Sequence, residues 1–342
     1  YYTGFKVNSG EYKLMGLAPY GDPDSPLTKK YLDILRSELA ELKPDGSLWL
    51  NQKYFDYATG LKMVREGKWE KLFGIPARGQ ESALTQEYCD MALAIQNFTE
   101  EAVRLMALEA ARLTGCKKLC LAGGVALNCV SNGKLLMDGP FEDVWIQPAA
   151  GDAGGALGAA LAAHHLVFGK ARKNTDGKDS MKGAYLGPVY AQSDTEAMAR
   201  AVNAVYGVLP EDKLCEKVAA LLSSGAVVGW HQGNLEWGPR ALGNRSILGD
   251  ARNPEMQKKL NLKIKHRESF RPFAPSVLAE DAAECFARGY ASPYMLLIDF
   301  VALKRRNPLP HGYHKLPLKE KLYFLRSDLP AITHLDYSAR VQ

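Results

Sequence analysis

The chain has 342 residues, enough for about two domains that each bury a real core. Apolar residues make up 46% and charged residues 24%, an ordinary globular composition that excludes a disordered tail protein, a collagen-like fibre and a disulfide-stapled miniprotein. Lys and Arg number 43 against 38 Asp and Glu, and a net charge of +5 spread over both signs does not indicate a nucleic-acid polymer as partner.

The first 60 residues are turn-rich, with Gly16, Pro19, Gly21, Pro23 and Pro26 close together, and a short amphipathic piece follows over Tyr31–Leu42. Glu81–Thr114 is the strongest helical signal. Met91, Ile95, Phe98, Ala102, Leu105 and Met106 recur at helical spacing, and Gly115 stops the run. A short buried strand is expected over Lys118–Ala122, running into Gly123-Gly124, and a second over Asp143–Ile146, running into Gly151–Gly155 and a small-residue helix Ala156–His165. Helix, strand, glycine turn and helix in succession is α/β architecture. Lys170–Lys182 is polar, charged and nonperiodic, and reads as a linker. Beyond it the pattern predicts a helix Lys213–Ser223, a strand Ala226–Trp230, a basic stretch Gly233–Arg252, a helix near Pro254–Leu262 and a second basic stretch Lys263–Arg271. Tyr294–Leu303 reads as a strand, and the basic, Pro-broken Lys304–Arg326 as a surface excursion.

The six cysteines, Cys89, Cys116, Cys120, Cys129, Cys215 and Cys285, form no CxxC. They read as reduced, mostly buried thiols of an intracellular, cytoplasmic protein. No apolar stretch approaches the roughly 18 residues of a membrane helix, so no membrane partner is expected. The first residues lack a signal peptide's basic start and apolar core, and with no initiator Met the chain reads as beginning inside a longer protein.

Three stretches carry chemistry. In Leu121–Asn128 a strand ends in paired glycines, which lets backbone N–H groups approach a phosphate, with Asn128 as an added donor; a tight structural turn is the alternative. In Gly151–Gly158 one carboxylate, Asp152, sits at the carboxyl end of a strand, where open α/β sheets bind ligands. It could ligate a metal, orient a hydroxyl or cap the following helix. The third feature is the most specific. Arg240 and Arg245 flank a glycine with Asn244 and Ser246 beside them, and Lys263, Lys265, Arg267 and Arg271 follow within nine residues, next to Phe270, Pro272, Phe273 and Pro275. Guanidinium forks bind phosphate oxygens bidentately, and cations set in apolar sequence need an anionic partner. Pairing with Glu236, Asp250 or Glu268 is the structural alternative, and a nucleic-acid patch lacks the interleaved aromatics that stacked bases require. His311 and His314 read as surface residues; His334, just before Ser338-Ala339-Arg340, could join the basic site.

These residues resemble a known family. Gly10–Gly21 (GEYKLMGLAPYG), Ala122–Asn128, Gly151–Gly158, Gly238–Ser246, Phe270–Pro275 and Thr333–Gln342 match, in order, the nodulation-factor and antibiotic O-carbamoyltransferases of the NodU type. The resemblance implies an α/β chain: the C-terminal half of an actin/sugar-kinase-like ATPase domain over 1–169, a linker over 170–183, and a YrdC-like domain that makes carbamoyl adenylate over 184–342. It implies ATP, carbamoyl phosphate and a hydroxyl-bearing small molecule or glycan as substrates, Mg2+ with the ATP, and Fe(II) or a similar divalent metal at the transfer site. No nucleic-acid partner is implied, and a homodimer is compatible with it. Carried over by motif, Arg240, Lys265, Arg271 and Arg340 bind the carbamoyl and phosphate groups, joined by His334. Gly123, Gly124, Asn128, Asn244, Arg245 and Ser246 contact nucleotide, and Asp152 matches a metal ligand. The family's HxxxH histidines belong to an N-terminal region and no HxxxH occurs here. A fragment lacking that region and the family's usual C-terminal end is therefore expected. A threonylcarbamoyl-type transferase acting on tRNA and a noncatalytic nucleotide-binding scaffold are the competing readings.

Overall fold

The computed structural model describes residues 1–80, 82–173 and 179–342. It opens with α1 (Glu11–Leu17), a tight turn Ala18–Tyr20 and α2 (Pro26–Ile34). The Ser25 side chain accepts the Leu27 N–H and so caps α2, whose last turn loosens to a π turn before the hairpin β1 (Ala40–Leu42) and β2 (Leu48–Leu50). The amphipathic piece read over Tyr31–Leu42 is thus the end of α2, the π turn and β1. Then come α3 (Glu66–Phe73) and α4 (Gln86–Thr114). Gly115 ends α4 at φ +67°, where its N–H bonds to the Ala111 carbonyl, as its position in the sequence anticipates.

The α/β portion follows the expected order: β3 (Lys118–Leu121), a turn Gly124–Leu127, α5 (Cys129–Asp138), β4 (Asp143–Ile146) and α6 (Asp152–Ala162). Strands β3 and β4 pair in parallel, Lys118 opposite Asp143 through Leu121 opposite Ile146. The later chain contributes α7 (Gln192–Ala201), α8 (Glu211–Ser223), β5 (Val228–His231), β6 (Arg245–Leu248), α9 (Met256–Lys258), α10 (Ala282–Cys285), β7 (Leu297–Phe300), α11 (Leu318–Tyr323) and β8 (Ser338–Val341). Strands β5 and β6 pair antiparallel, as do β7 and β8. Among the described residues the architecture is a mixed α/β one of helices and two-stranded sheets. No described helix is long and apolar enough to cross a membrane.

Three expectations need correction. Strand β3 is not buried: Leu119 and Leu121 are half-buried against the core while Lys118 and Cys120 are exposed, because successive side chains point to opposite faces and only one face is packed. Cys116 and Cys215 are exposed too, so the thiols are not mostly buried; Cys89 and Cys129 are. The stretch Lys304–Arg326 is only partly a surface excursion. His311 and His314 are exposed as anticipated, but Tyr313, Lys321, Leu322 and Arg326 are buried. The Lys321 ammonium, from a residue 1% exposed, donates to the Tyr20 carbonyl at 3.1 Å, Gln86 Oε1 at 3.0 Å and the His314 carbonyl at 3.0 Å. Arg326 donates to the Lys321 and Thr333 carbonyls. Carbonyl acceptors let these cations be buried, which a composition argument misses.

The cores link distant parts of the chain. One cluster joins Ala107, Leu135 and Ile146 to Leu242, Tyr294 and Leu297; another joins Leu17, Tyr20 and Cys89 to Phe270 and Leu335. The expected linker 170–183 falls partly outside the described residues. Helix α5 lies hard against β7: a Cβ on Gly133 would meet Ile298 Cγ1 at 2.5 Å, and Asn132 Nδ2 bonds both the Ala126 and Leu296 carbonyls. That contact brings the first glycine turn beside β8, the strand that carries Arg340.

Candidate anion-binding site

Three of the matched segments, and the helix start that follows a fourth, meet in one place. A small cleft of about 50 Å3 is lined by Gly16 from α1, Cys129 at the start of α5, Pro272 and Phe273 after the second basic stretch, and His334 and Arg340 from the end of the chain. The Gly16 position faces the Pro272 ring, where a Cβ would sit at 3.6 Å. Residues more than 300 positions apart thus form one wall.

The cations gather beside this cleft. Arg240 donates Nη2 to the Leu127 carbonyl at 3.1 Å, yet its enclosed Nε has no partner. Burial, then the nearby Arg340 and Arg271, lower its pKa to about 10, with Cys129 opposing. The Nε of Arg340 is likewise enclosed and unpartnered, and burial holds that guanidinium below its usual range, with Arg271 adding to the effect and Cys129 opposing it. Arg271 stacks over the Tyr12 ring at 4.7 Å. Arg267 lies over Phe273 at 4.8 Å, donates Nε to Asn261 Oδ1 at 2.7 Å, and is also lowered to about 10 by burial and Arg271. Lys265 is more exposed, and partial burial with Arg267 and Arg271 lowers it too. Glu268 faces this group. Its Oε1 takes the Lys13 ammonium at 2.6 Å, while the enclosed Oε2 has no hydrogen-bond donor and stands 3.9 Å from Arg271 Nη1. Burial opposes ionisation of Glu268, but the Lys13 bond and the neighbouring charges outweigh it and keep its pKa low. Unpartnered buried guanidinium nitrogens beside other cations are costly unless an anion completes them. The arrangement therefore suits a phosphate or other anionic ligand.

A loop built on Glu236 presents Arg240. Glu236 Oε1 accepts the backbone N–H groups of Leu242 at 3.0 Å, Asn244 at 2.8 Å and Arg245 at 3.0 Å. These bonds outweigh the burial that opposes ionisation and hold the carboxyl below its usual range. The loop crosses close to the second glycine turn, since a Cβ on Gly238, at φ +122°, would stand 3.0 Å from the Pro148 carbonyl. Glu236 was legible only as a possible ion-pair partner; its role as a backbone acceptor depends on the loop's curl.

Of the expected nucleotide contacts, Asn244, Arg245 and Ser246 are engaged within this loop. Asn244 Nδ2 bonds the Asn234 carbonyl at 2.7 Å, Arg245 Nη1 bonds the Gln232 carbonyl at 2.6 Å, and Ser246 Oγ accepts the Gly243 N–H at 3.1 Å. Asn128 serves as the cap of α5, accepting the Ser131 N–H, and exchanges bonds with the Gln96 amide. The two glycine turns touch through the Gly123 N–H and the Ala150 carbonyl at 2.8 Å. The space beside Gly123 and Gly124 is open, so a phosphate could approach their backbone.

Asp152 opens α6 and is exposed. No group of three or more His, Cys, Asp or Glu among the described residues could hold a metal ion. Among the described residues Asp152 therefore stands without the partners that an iron centre needs.

His334 is 8% exposed, with its ring edge-on to Tyr20 at 6.0 Å between centroids. Asp336 Oδ1 lies 4.0 Å from Nδ1 and the Gly16 carbonyl faces the ring, while the enclosed Nε2 has no partner. Burial lowers its pKa to about 4 against the pull of Asp336, so the imidazole is neutral at physiological pH.

Comparison with known proteins places the chain. Residues 1–161 match the family model described as carbamoyltransferase N-terminus, and residues 219–342 match carbamoyltransferase C-terminus. An uncharacterized protein of Synechocystis sp. is 53% identical over 100% of this chain and 55% of its own length. Nodulation protein NolO of Bradyrhizobium diazoefficiens is 37% identical over 97% of this chain and 54% of its own, and nodulation protein U of Azorhizobium caulinodans is 30% identical over 96% and 51%. The chain spans about half the length of these relatives, and it belongs to the carbamoyltransferase family.

Proposed function

We propose that the protein takes part in ATP-dependent carbamoyl transfer to a hydroxyl group of a small molecule or glycan. In this reading water cleaves carbamoyl phosphate to carbamate and phosphate. A carbamate oxygen then attacks the α-phosphorus of ATP, forming carbamoyl adenylate and expelling pyrophosphate. The acceptor hydroxyl oxygen attacks the carbamoyl carbon, its proton is lost, and AMP leaves. The observation that carries the reading is the pair of enclosed, unpartnered guanidinium nitrogens on Arg240 and Arg340, set among Arg267, Arg271 and Lys265. Charge develops on phosphoryl oxygens and on pyrophosphate during adenylation, and cations fixed in advance stabilise it without reorganising. The open Gly123–Gly124 turn is the second place where a phosphate chain fits. We assign the actin/sugar-kinase-like unit to 1–169 and the YrdC-like unit to 184–342 on the resemblance of their motifs.

The test is pyrophosphate release by the intact protein given ATP and carbamoyl phosphate. Arg240→Ala and Arg271→Ala are each expected to lower the rate by 10²-fold or more, on the order seen when a preorganised donor is removed. Normal rates in both variants would overturn the adenylation reading.

A further inference from the structure

The cleft holds a donor and an acceptor that nothing else satisfies. Arg340 Nε and His334 Nε2 are both enclosed, both unpartnered, and both residues line it. On the other side of the ring the Asp336 carboxylate stands 4.0 Å from Nδ1. An anionic acceptor on that side draws the ring proton to Nδ1 and leaves the lone pair on Nε2. The ring cannot turn to seek another partner. Tyr20 stands edge-on against it, and the backbone is pinned by the His334 N–H to the Ser338 carbonyl at 2.9 Å and the Tyr337 N–H to the His334 carbonyl at 3.0 Å. Pro272, Phe273 and Ile298 give the cleft apolar walls, so neither polar atom has an alternative partner among them.

We infer that His334 is the residue that selects the carbamoyl group: its Nε2 accepts an N–H of the carbamoyl NH2 while Arg340 Nε donates to an oxygen of the same ligand. The inference rests on the proposed carbamoyl chemistry and adds to it a basis for discrimination. A carbamoyl group carries a donor and an acceptor on one small plane. An acetyl group has nearly the same shape but puts a methyl where the NH2 stands, leaving the Nε2 lone pair desolvated and unpaired. A site built around a ligand's N–H rejects the analogue without it much more strongly than an apolar pocket rejects a missing methylene.

The experiment compares carbamoyl phosphate, acetyl phosphate and inorganic phosphate by titration calorimetry on the intact protein and on His334→Ala. The wild type is expected to bind carbamoyl phosphate at least about ten-fold more tightly than acetyl phosphate. His334→Ala is expected to erase that preference while leaving acetyl phosphate affinity within about three-fold. Equal binding of the two by the wild type overturns the inference and leaves the anion site standing. Failure of all three to bind removes the anion site itself, and this assignment with it. Nitrogen-15 spectra of histidine-labelled wild type need no variant to fold. They are expected to show the proton on Nδ1 of His334 and a change at Nε2 with carbamoyl phosphate but not with acetyl phosphate. A proton on Nε2 refutes the assignment.

Discussion

Replacing Arg240 with methionine should stabilise the protein without ligand and abolish its response to a polyphosphate anion. The guanidinium is held at a pKa of about 10 by burial and by two neighbouring guanidiniums, below the usual 12.5. A base whose folded pKa lies below its unfolded one opposes folding at every pH below the folded value, and at 1.36 kcal/mol per unit the penalty here is about 1–3 kcal/mol. Methionine keeps the apolar stem and removes that penalty. It also removes the Nη2 bond to the Leu127 carbonyl, which costs about 1 kcal/mol. The net gain is about 1 kcal/mol, or about 1–2 °C in melting temperature for a chain of this length. Scanning calorimetry with and without pyrophosphate reads both effects. At 100 times its dissociation constant, pyrophosphate should stabilise the wild type by about 2.7 kcal/mol and the variant by far less. A ligand-free variant less stable than wild type by more than about 1 kcal/mol would show that Arg240 is a structural tie. An undiminished pyrophosphate response would show that it does not face the anion.

Three further outcomes are expected. His334 has a folded pKa of about 4, below the 6.5 of an ordinary imidazole, so its contribution to stability is present above pH 6.5 and is lost as pH falls from there toward 4. Urea denaturation across that window should show a loss on the order of 2–3 kcal/mol that His334→Gln flattens, and an equal slope in both proteins would contradict its burial as a neutral ring. Glu236→Ala strands the N–H groups of Leu242, Asn244 and Arg245, and should cost about 2–4 kcal/mol in urea melts together with weaker phosphate binding through the displaced Arg240 loop; full phosphate affinity would separate the loop from the site. Cys129 lines the cleft but is buried, so iodoacetamide reaches it only through local opening; carbamoyl phosphate should slow that already slow alkylation while leaving that of the exposed Cys116 and Cys215 unchanged, as peptide mass mapping can follow; equal slowing at all three would point to a global effect.

Local periodicity and turn chemistry carried much of the fold. The long apolar repeat ending in Gly115 is α4, and the two strand–glycine-turn–helix units lie where their spacing puts them. Burial was harder to read. A short apolar strand such as Lys118–Leu121 looks the same in sequence whether one face or both are packed. A basic, Pro-broken segment such as Lys304–Arg326 looks solvated until carbonyls are found for Lys321 and Arg326.

The site divides in the same way. The sequence by itself pointed to an anionic ligand, because Arg240, Lys265, Arg271 and Arg340 are cations set in apolar and Pro-rich sequence, where an unpaired charge is costly. Tertiary structure decided which side chains are left without a partner. Asn128, Asn244, Arg245 and Ser246 carry suitable groups but spend them on a helix cap and a loop, while Arg240 Nε, Arg340 Nε and His334 Nε2 are left with none. The reason is reach. The contacts that settle the matter join Arg240 to Leu127, Lys13 to Glu268 and Asn132 to Leu296, across more than 100 residues in each case. A residue pattern reports what a segment needs to bury or pair, but not which distant backbone will stand opposite.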